Sequence, residues 1–247
     1  MKKLINWHQA DILAERYLDI ILSDIGNTLL LLIQAPLIAL AISLGWYEIG
    51  QPTDSLYYIM LVSCVWFGCI NGSKEIVKER AIYRRERMFG LNTFAYVFSK
   101  IKVLSIVSFV QCLLFLTTIH FYIPQKGNII LIFIILFLCT LCGVSLGLLL
   151  STIVDTPDKA VALAPVITIP QILFSKMVIP ENYLRGWAAI VEKLMIVKWG
   201  FESIQEIAGR NIHLFTLLKG IGILILFCLI YFFITLMLLK FNKFREE

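Results

Sequence analysis

Six stretches almost free of charge constrain this chain more than any other feature: Ile25–Tyr47, Ser55–Ser73, Val103–Gln125, Gly127–Val154, Ala160–Ser175 and Gly220–Leu239. A bilayer core of about 30 Å takes about 20 helical residues, so five of them span it comfortably. The fifth is shorter, stops before Lys176 and contains Pro165 and Pro170, which predicts a short span that is kinked or broken. With 59% hydrophobic residues in a chain of 247, a soluble domain is excluded. The chain reads as an all-α membrane protein with six transmembrane helices.

Basic residues set the expected orientation. Lys2, Lys3 and Arg16 precede the first span, eight Lys/Arg lie between Ser73 and Val103, and Lys159, Lys240, Lys243 and Arg245 fall on the same side. The opposite side has none between the first two spans and only Lys126 between the third and fourth. Both termini are therefore expected in the cytoplasm, the long loop from Lys176 to Lys219 being a weak vote. The net charge of +5 is this excess, so nucleic acid is not expected as a partner. Met1-Lys2-Lys3 leads into mixed polar residues and not into a signal peptide. All six cysteines fall inside predicted spans, which implies no disulfide framework.

Three segments outside the spans are patterned. Trp7, Ala10, Ala14, Tyr17, Leu18 and Ile21 share one side of a helix, opposite His8, Asp11, Glu15, Arg16 and Asp19, which predicts an amphipathic helix along the membrane surface. Residues 74–87 hold six of the 22 Lys/Arg, continuing the second span. On one continuous helix Glu75, Glu79 and Glu86 fall within about 40° of each other, and Arg80, Arg84 and Arg87 form a separate stripe. Aligned like charges cost a few tenths of a kcal/mol per pair, which predicts partners outside the helix. Snorkelling onto anionic lipid would account for the arginines but not for the glutamates. Gly90-Leu91-Asn92 is expected to end this helix. Beyond Lys176, the spacing of Lys198, Glu202, Glu206 and Arg210 opposite Phe201, Ile204, Ile207 and Ala208 predicts an outer or re-entrant helix packed back on the bundle. Gly143 and Gly147 suit a close helix contact, within the chain or between chains.

Several chemistries are missing from the sequence. It contains no P-loop and no His-Glu-x-x-His motif. Cys139 and Cys142 lie deep in a span with no further ligand, so no metal site is expected. His8, His120 and His213 fall near predicted membrane edges. The five full spans carry no charge in their interiors, against a proton-coupled transporter or a charged filter. Energy for transport would then come from another polypeptide.

Glu75-Ile-Val-Lys-Glu-Arg-x-Ile-Tyr-Arg-Arg-Glu-Arg87, following Trp66-Phe-Gly-Cys69, resembles the permease domain of type-two ABC exporters, most closely the bacterial relatives of the G subfamily. So do the amphipathic helix with Trp7, Gln9, Arg16, Tyr17 and Asp24, and Pro157-Asp158-Lys159-Ala160. Ile169-Pro-Gln-Ile-Leu-Phe-Ser175 and Lys198-Trp-Gly-Phe201 extend the similarity over essentially the whole chain. The resemblance implies one permease domain over 1–247: a connecting helix at 1–24, a six-helix bundle at 25–240, a cytoplasmic coupling helix at 74–90 and an outer segment at 176–212.

It also implies roles. Glu75, Lys78, Glu79, Arg80, Arg84, Arg85, Glu86 and Arg16 would contact the ATPase; Phe67, Ile169, Ile172 and Phe174 would line the translocation pathway; Met177 and Val178 would form an outer valve. Relatives often carry Phe-Ser-Gly where this chain has Phe174-Ser175-Lys176, which puts a positive charge near the exit. The G subfamily usually fuses its ATPase ahead of the permease, so separate ABC ATPase subunits are expected here, binding ATP and Mg. A second permease copy or paralogue, membrane lipids and the bacterial plasma (inner) membrane complete the expectation. The alternatives are a membrane-embedded lipid-modifying enzyme and a non-transporting scaffold or immunity protein.

Overall fold

The computed structural model describes residues 7–179, 185–209 and 213–241, which are helical with short connections and contain no strand. The helices are α1 (Trp7–Ser23), α2 (Ile25–Trp46), α3 (Asp54–Ser73), α4 (Arg80–Met88), α5 (Thr93–Tyr122), α6 (Ile129–Ile153), α7 (Pro157–Leu173), α8 (Trp187–Lys193), α9 (Ile196–Ala208) and α10 (Leu214–Phe241). A 3-10 turn, Val77–Glu79, joins α3 to α4. Polar residues start five of these helices. The side chains of Asp24, Thr53, Asn92, Asn128 and Thr156 each accept a hydrogen bond from an N–H of the following first turn.

Five stretches among the described residues are long and apolar enough to cross a membrane: Ile25–Trp46, Asp54–Met88, Thr93–Tyr122, Ile129–Ile153 and Leu214–Phe241. α7, with 17 residues and Pro165 and Pro170 inside it, is the short helix that the fifth window predicted. α3 is central, with 72% of its apolar window buried against 22% for α2 and 17% for α10, so those two helices form the rim.

The tightest contact in the bundle is α3 on α6. A Cβ on Gly68 would stand 2.0 Å from the Thr140 carbonyl oxygen, one on Gly143 2.4 Å from Val65 O, and one on Gly147 2.3 Å from Cys69 O. Gly72 faces Val144 O in the same way, at 2.5 Å. Two glycine pairs spaced by four thus let the backbones touch. The contact of Gly143 and Gly147 is within the chain, and its other half, Gly68 and Gly72, was readable from the same spacing.

Three sequence expectations are corrected. The charged block is not one continuous helix: α3 stops at Ser73 and the 3-10 turn redirects the chain, so Glu75 and Glu79 do not align with Glu86 on one helix face, whereas Arg80, Arg84 and Arg87 keep their shared face on α4. Asn92 does not end a helix but caps the start of α5, while Gly90 (φ +97°) makes the stop, with Leu91 N–H donating to Glu86 O at 3.1 Å. α5 begins ten residues earlier than its apolar window, so Lys100 and Lys102 lie inside a helix that was expected to be free of charge. Hydropathy misplaced that start because Ser99, Lys100 and Lys102 interrupt the apolar run within the first three turns of α5.

The connecting helix forms as expected, but its apolar face (Ala10, Leu13, Ala14, Tyr17) is covered by α5 and the elbow. Beyond α7, α9 packs Phe201, Ile204 and Ile207 onto the bundle, as its spacing predicted. Arg210 and residues 180–184 of the outer segment lie outside the described residues.

Candidate functional site

The elbow between α3 and α5 is bolted to four helices. The Ser151 hydroxyl of α6 accepts from Ile76 N–H and Val77 N–H at 3.0 and 2.9 Å, capping the 3-10 turn. Arg80 donates back to the carbonyls at the end of α6, Thr152 O at 3.0 Å and Val154 O at 2.5 Å, and pairs with Asp155. Arg87 donates to Leu239 O and Lys240 O at the end of α10. Cations at helix C-termini satisfy orphan carbonyls and oppose the helix dipole. Arg16 of α1 pairs with Glu86 at 2.6 Å, and that hydrogen bond is the main cause of a raised Arg16 pKa.

Beneath the elbow lies an ion cluster. Lys100, 2% exposed, holds Glu79 at 2.7 Å and lies 3.9 Å from Glu75. Its ammonium stands 3.5 Å from the centre of the Tyr17 ring. Tyr17 donates its hydroxyl to Glu75 Oε2, Lys78 reaches Oε1 at 2.7 Å, and Tyr96 donates to Glu79 at 3.3 Å. Burial, and then the Glu75 charge, pushes the Tyr17 hydroxyl well above its usual range, so it stays a donor. Two carboxylates thus face two ammoniums, with the Tyr17 hydroxyl on Glu75 and the Tyr96 hydroxyl on Glu79 adding donors, so the buried charges are paired.

This arrangement sorts the eight residues expected to contact an ATPase. Glu75 (8% exposed) and Glu79 point inward and are occupied. Arg80 holds the end of α6, as Arg87, outside the eight, holds that of α10, and Glu86 and Arg16 hold each other. Lys78 remains partly exposed beside Glu75. Arg84 and Arg85 are exposed on α4 and make no ion pair among the described residues. Beside them, Ile82, Met88 and Phe89 are exposed at 42%, 79% and 88%. The partners predicted for the glutamates exist, but within the chain. They come from α1 and α5, 58 and 21 positions from Glu75 and Glu79, beyond the reach of periodicity along one helix.

The pathway residues divide as well. Ile169 and Ile172 are exposed on α7 with Leu163, Val166 and Leu173. Phe67 is 0% exposed and packs edge-on to Phe115 of α5, with ring centres 5.4 Å apart, so it offers no surface to a pathway in this conformation. The accessible row of α3 is Ile59, Val62, Trp66 and Ile70, one position away from the expected aromatic. Phe174 stacks edge-on to Trp187 of α8 at 5.7 Å, and Met177 and Val178 are exposed beside it.

Polar hooks fix α7 at this end. Tyr58 of α3 donates to Gln171 O and Ile172 O at 3.1 and 2.8 Å, and Gln171 Oε1 accepts from Ile196 N–H and Val197 N–H at 2.8 and 3.3 Å, capping α9. The glutamine of the Pro-Gln-Ile-Leu-Phe-Ser motif is thus a cap supplied by another helix. Met177 and Lys176 border a cavity of about 30 Å³ with Glu192, Lys198 and Glu202, where Lys198 pairs with both glutamates at 3.4 and 3.8 Å.

The sequence is similar to three large transporters. It is 27% identical over 238 residues to the ABC transporter ATP-binding/permease protein Rv1747 of Mycobacterium tuberculosis, covering 87% of this chain and 26% of that protein. It is 26% identical over 205 residues to ABC multidrug transporter F of Aspergillus fumigatus (76% and 14%) and 23% identical over 201 residues to the ABC transporter eupT of a Phoma species (76% and 13%). The chain therefore spans about a quarter or less of the length of these relatives. The profile of the ABC-2 type transporter family matches residues 8–208, from the connecting helix through α9. A charged elbow hung between membrane helices, with the family's profile running through it, makes this chain a member of the ABC-2 type transporter family.

Proposed function

We propose that the chain is the permease subunit of an ATP-driven exporter, with six spans once α7 is counted. By the positive-inside rule the elbow end belongs in the cytoplasm, since Arg16, the elbow arginines, Lys102, Lys159 and Lys240 gather there. The membrane is the plasma (inner) membrane of a bacterium. An ABC ATPase binds ATP and Mg and docks on the elbow. The observation that carries this reading is the exposed face of α4: Ile82, Arg84, Arg85, Met88 and Phe89 project from an element whose other face is tied to α1, α5, α6 and α10. A push on that face moves four helices together. Glu75, Lys78, Glu79, Arg80, Glu86 and Arg16 would act by transmitting the push, with Arg84 and Arg85 making the contact.

A second permease copy or paralogue completes the pathway, because one bundle offers only half a slit. The apolar rows Ile59, Val62, Trp66 and Ile70 of α3 and Val166, Ile169 and Leu173 of α7 suit that face, with Met177 and Val178 at its outer end. The test is copurification with the native ATPase and reconstitution. Arg84→Glu with Arg85→Glu is expected to abolish stimulation of the ATPase while the chain stays folded. Full stimulation in that variant would overturn the docking face.

A further inference from the structure

A crevice between α1, α2, α3 and α5 carries an unanswered acceptor. Asn71 Nδ2 donates to Gln111 Oε1 at 2.6 Å, and Gln111 Nε2 donates to Leu31 O at 2.5 Å. A backbone carbonyl can only accept, so the last bond fixes the Gln111 amide, and Gln111 in turn fixes Asn71. Asn71 Oδ1 is left over: it is buried, on a residue 3% exposed, with no protein donor. Such a group carries a desolvation cost until something donates to it.

Asn71 lines a cavity of about 40 Å³ together with Tyr17, Asp24, Asn27, Glu75 and Lys78. That exceeds the room one water requires and is far below a drug-sized pocket. Its charges are unevenly answered. Glu75 is engaged by Lys78 at one oxygen and by Tyr17 at the other. Asp24, exposed at the rim, caps α2 through Asn27 N–H at 3.3 Å and makes no ion pair among the described residues. The open demand is therefore two acceptors, one of them charged. Of the lining residues Ile20 is exposed at 46%, and Leu22 and Ile25, neighbours of Asp24 in the chain, are exposed at 59% and 66%.

We propose that this crevice binds the primary ammonium of a lipid headgroup, as in phosphatidylethanolamine. An ammonium brings three donors and no acceptor, matching Asn71 Oδ1 and the Asp24 carboxylate. Lys78, a third exposed at the rim, answers the adjoining phosphodiester, and the apolar mouth meets the acyl chains. A quaternary ammonium has no N–H to give. The proposal requires only that α2, α3 and α5 lie in a bilayer, and not that the chain transports anything.

The test uses the full chain in nanodiscs of phosphatidylcholine with or without phosphatidylethanolamine, reading retained lipid by native mass spectrometry and the thermal midpoint. Phosphatidylethanolamine is expected to be retained about tenfold over phosphatidylcholine, the scale of one charge-assisted hydrogen bond. Asp24→Asn, which keeps a good helix cap, is expected to erase most of that preference without loss of folding. Asn71→Leu should do the same, and if it fails to fold, the Asp24 variant still decides. Equal retention of both lipids, or a preference untouched by Asp24→Asn, would mean that the crevice holds only water and would overturn the proposal. Free ethanolamine reproducing the full effect in phosphatidylcholine would overturn the lipid as its source.

Discussion

α6 and α7 both lie against α3, but they are held there by different physics. α6 meets α3 backbone to backbone through Gly68, Gly72, Gly143 and Gly147, with no side chain between them to rearrange. α7 presents Ala160, Ala164 and Thr168 and is tied at its far end by the Tyr58 hydroxyl and the Gln171 amide. Pro165 and Pro170 remove two of its own hydrogen-bond donors, and Thr168 bonds back to Ala164 O, a combination that bends helices. A joint made of backbone contact has one position. A joint made of a few hydrogen bonds on a proline-containing helix has more than one at small cost. The pair α3–α6 is the spine of this protein, and α7 is fastened to it by side-chain packing and a few hydrogen bonds.

The strongest way to break that comparison is to fill the spine. Gly143→Leu drives a side chain into the Val65 carbonyl and should cost beyond about 4 kcal/mol, abolishing folded protein in a detergent thermal-shift or size-exclusion assay. A monodisperse, stable Gly143→Leu protein would show that the seam can open. Next is the ion cluster under the elbow. Lys100→Met leaves Glu75 and Glu79 buried without their shared cation and should cost about 3–5 kcal/mol, with Glu79→Gln in the same chain recovering part of it. The α7 hooks come third. Gln171→Ala and Tyr58→Phe should each cost about 1 kcal/mol and speed amide exchange over 165–175 while leaving α3 and α6 protected. Equal deprotection of α6 would erase the distinction between the two joints. Smallest is Arg84→Ala with Arg85→Ala, expected to move stability by less than about 0.5 kcal/mol while changing ATPase stimulation.

Much of this was legible in the residues. The short, proline-interrupted α7 followed from Pro165, Pro170 and Lys176, and the buried face of α9 from the spacing of Phe201, Ile204 and Ile207. The amphipathic α1 was legible too, although what covers it was not, because a helical wheel reports a face and never its neighbour. The charged block was read as a continuation of one helix, and only the 3-10 turn shows why Glu75 and Glu79 turn inward. Their cation, Lys100, was counted with the loop since hydropathy averages over a window and blurs the start of α5. Phe67 and Trp66 show the same limit. Neighbouring positions on a helix differ by about 100°, so one residue separates a fully buried ring from one on the open side. Matching motifs locates a helix turn more securely than a direction.

Arg87 reaches from the elbow to the last carbonyls of α10, a helix most of whose surface is otherwise uncovered. α10 also packs along α6 and α9, and its elbow end is gripped by the same short element that receives the proposed thrust of the ATPase. On the proposed docking, a tilt of the elbow would tug α10 like a cord on a tent pole, and the outline seen by surrounding lipid would change with it.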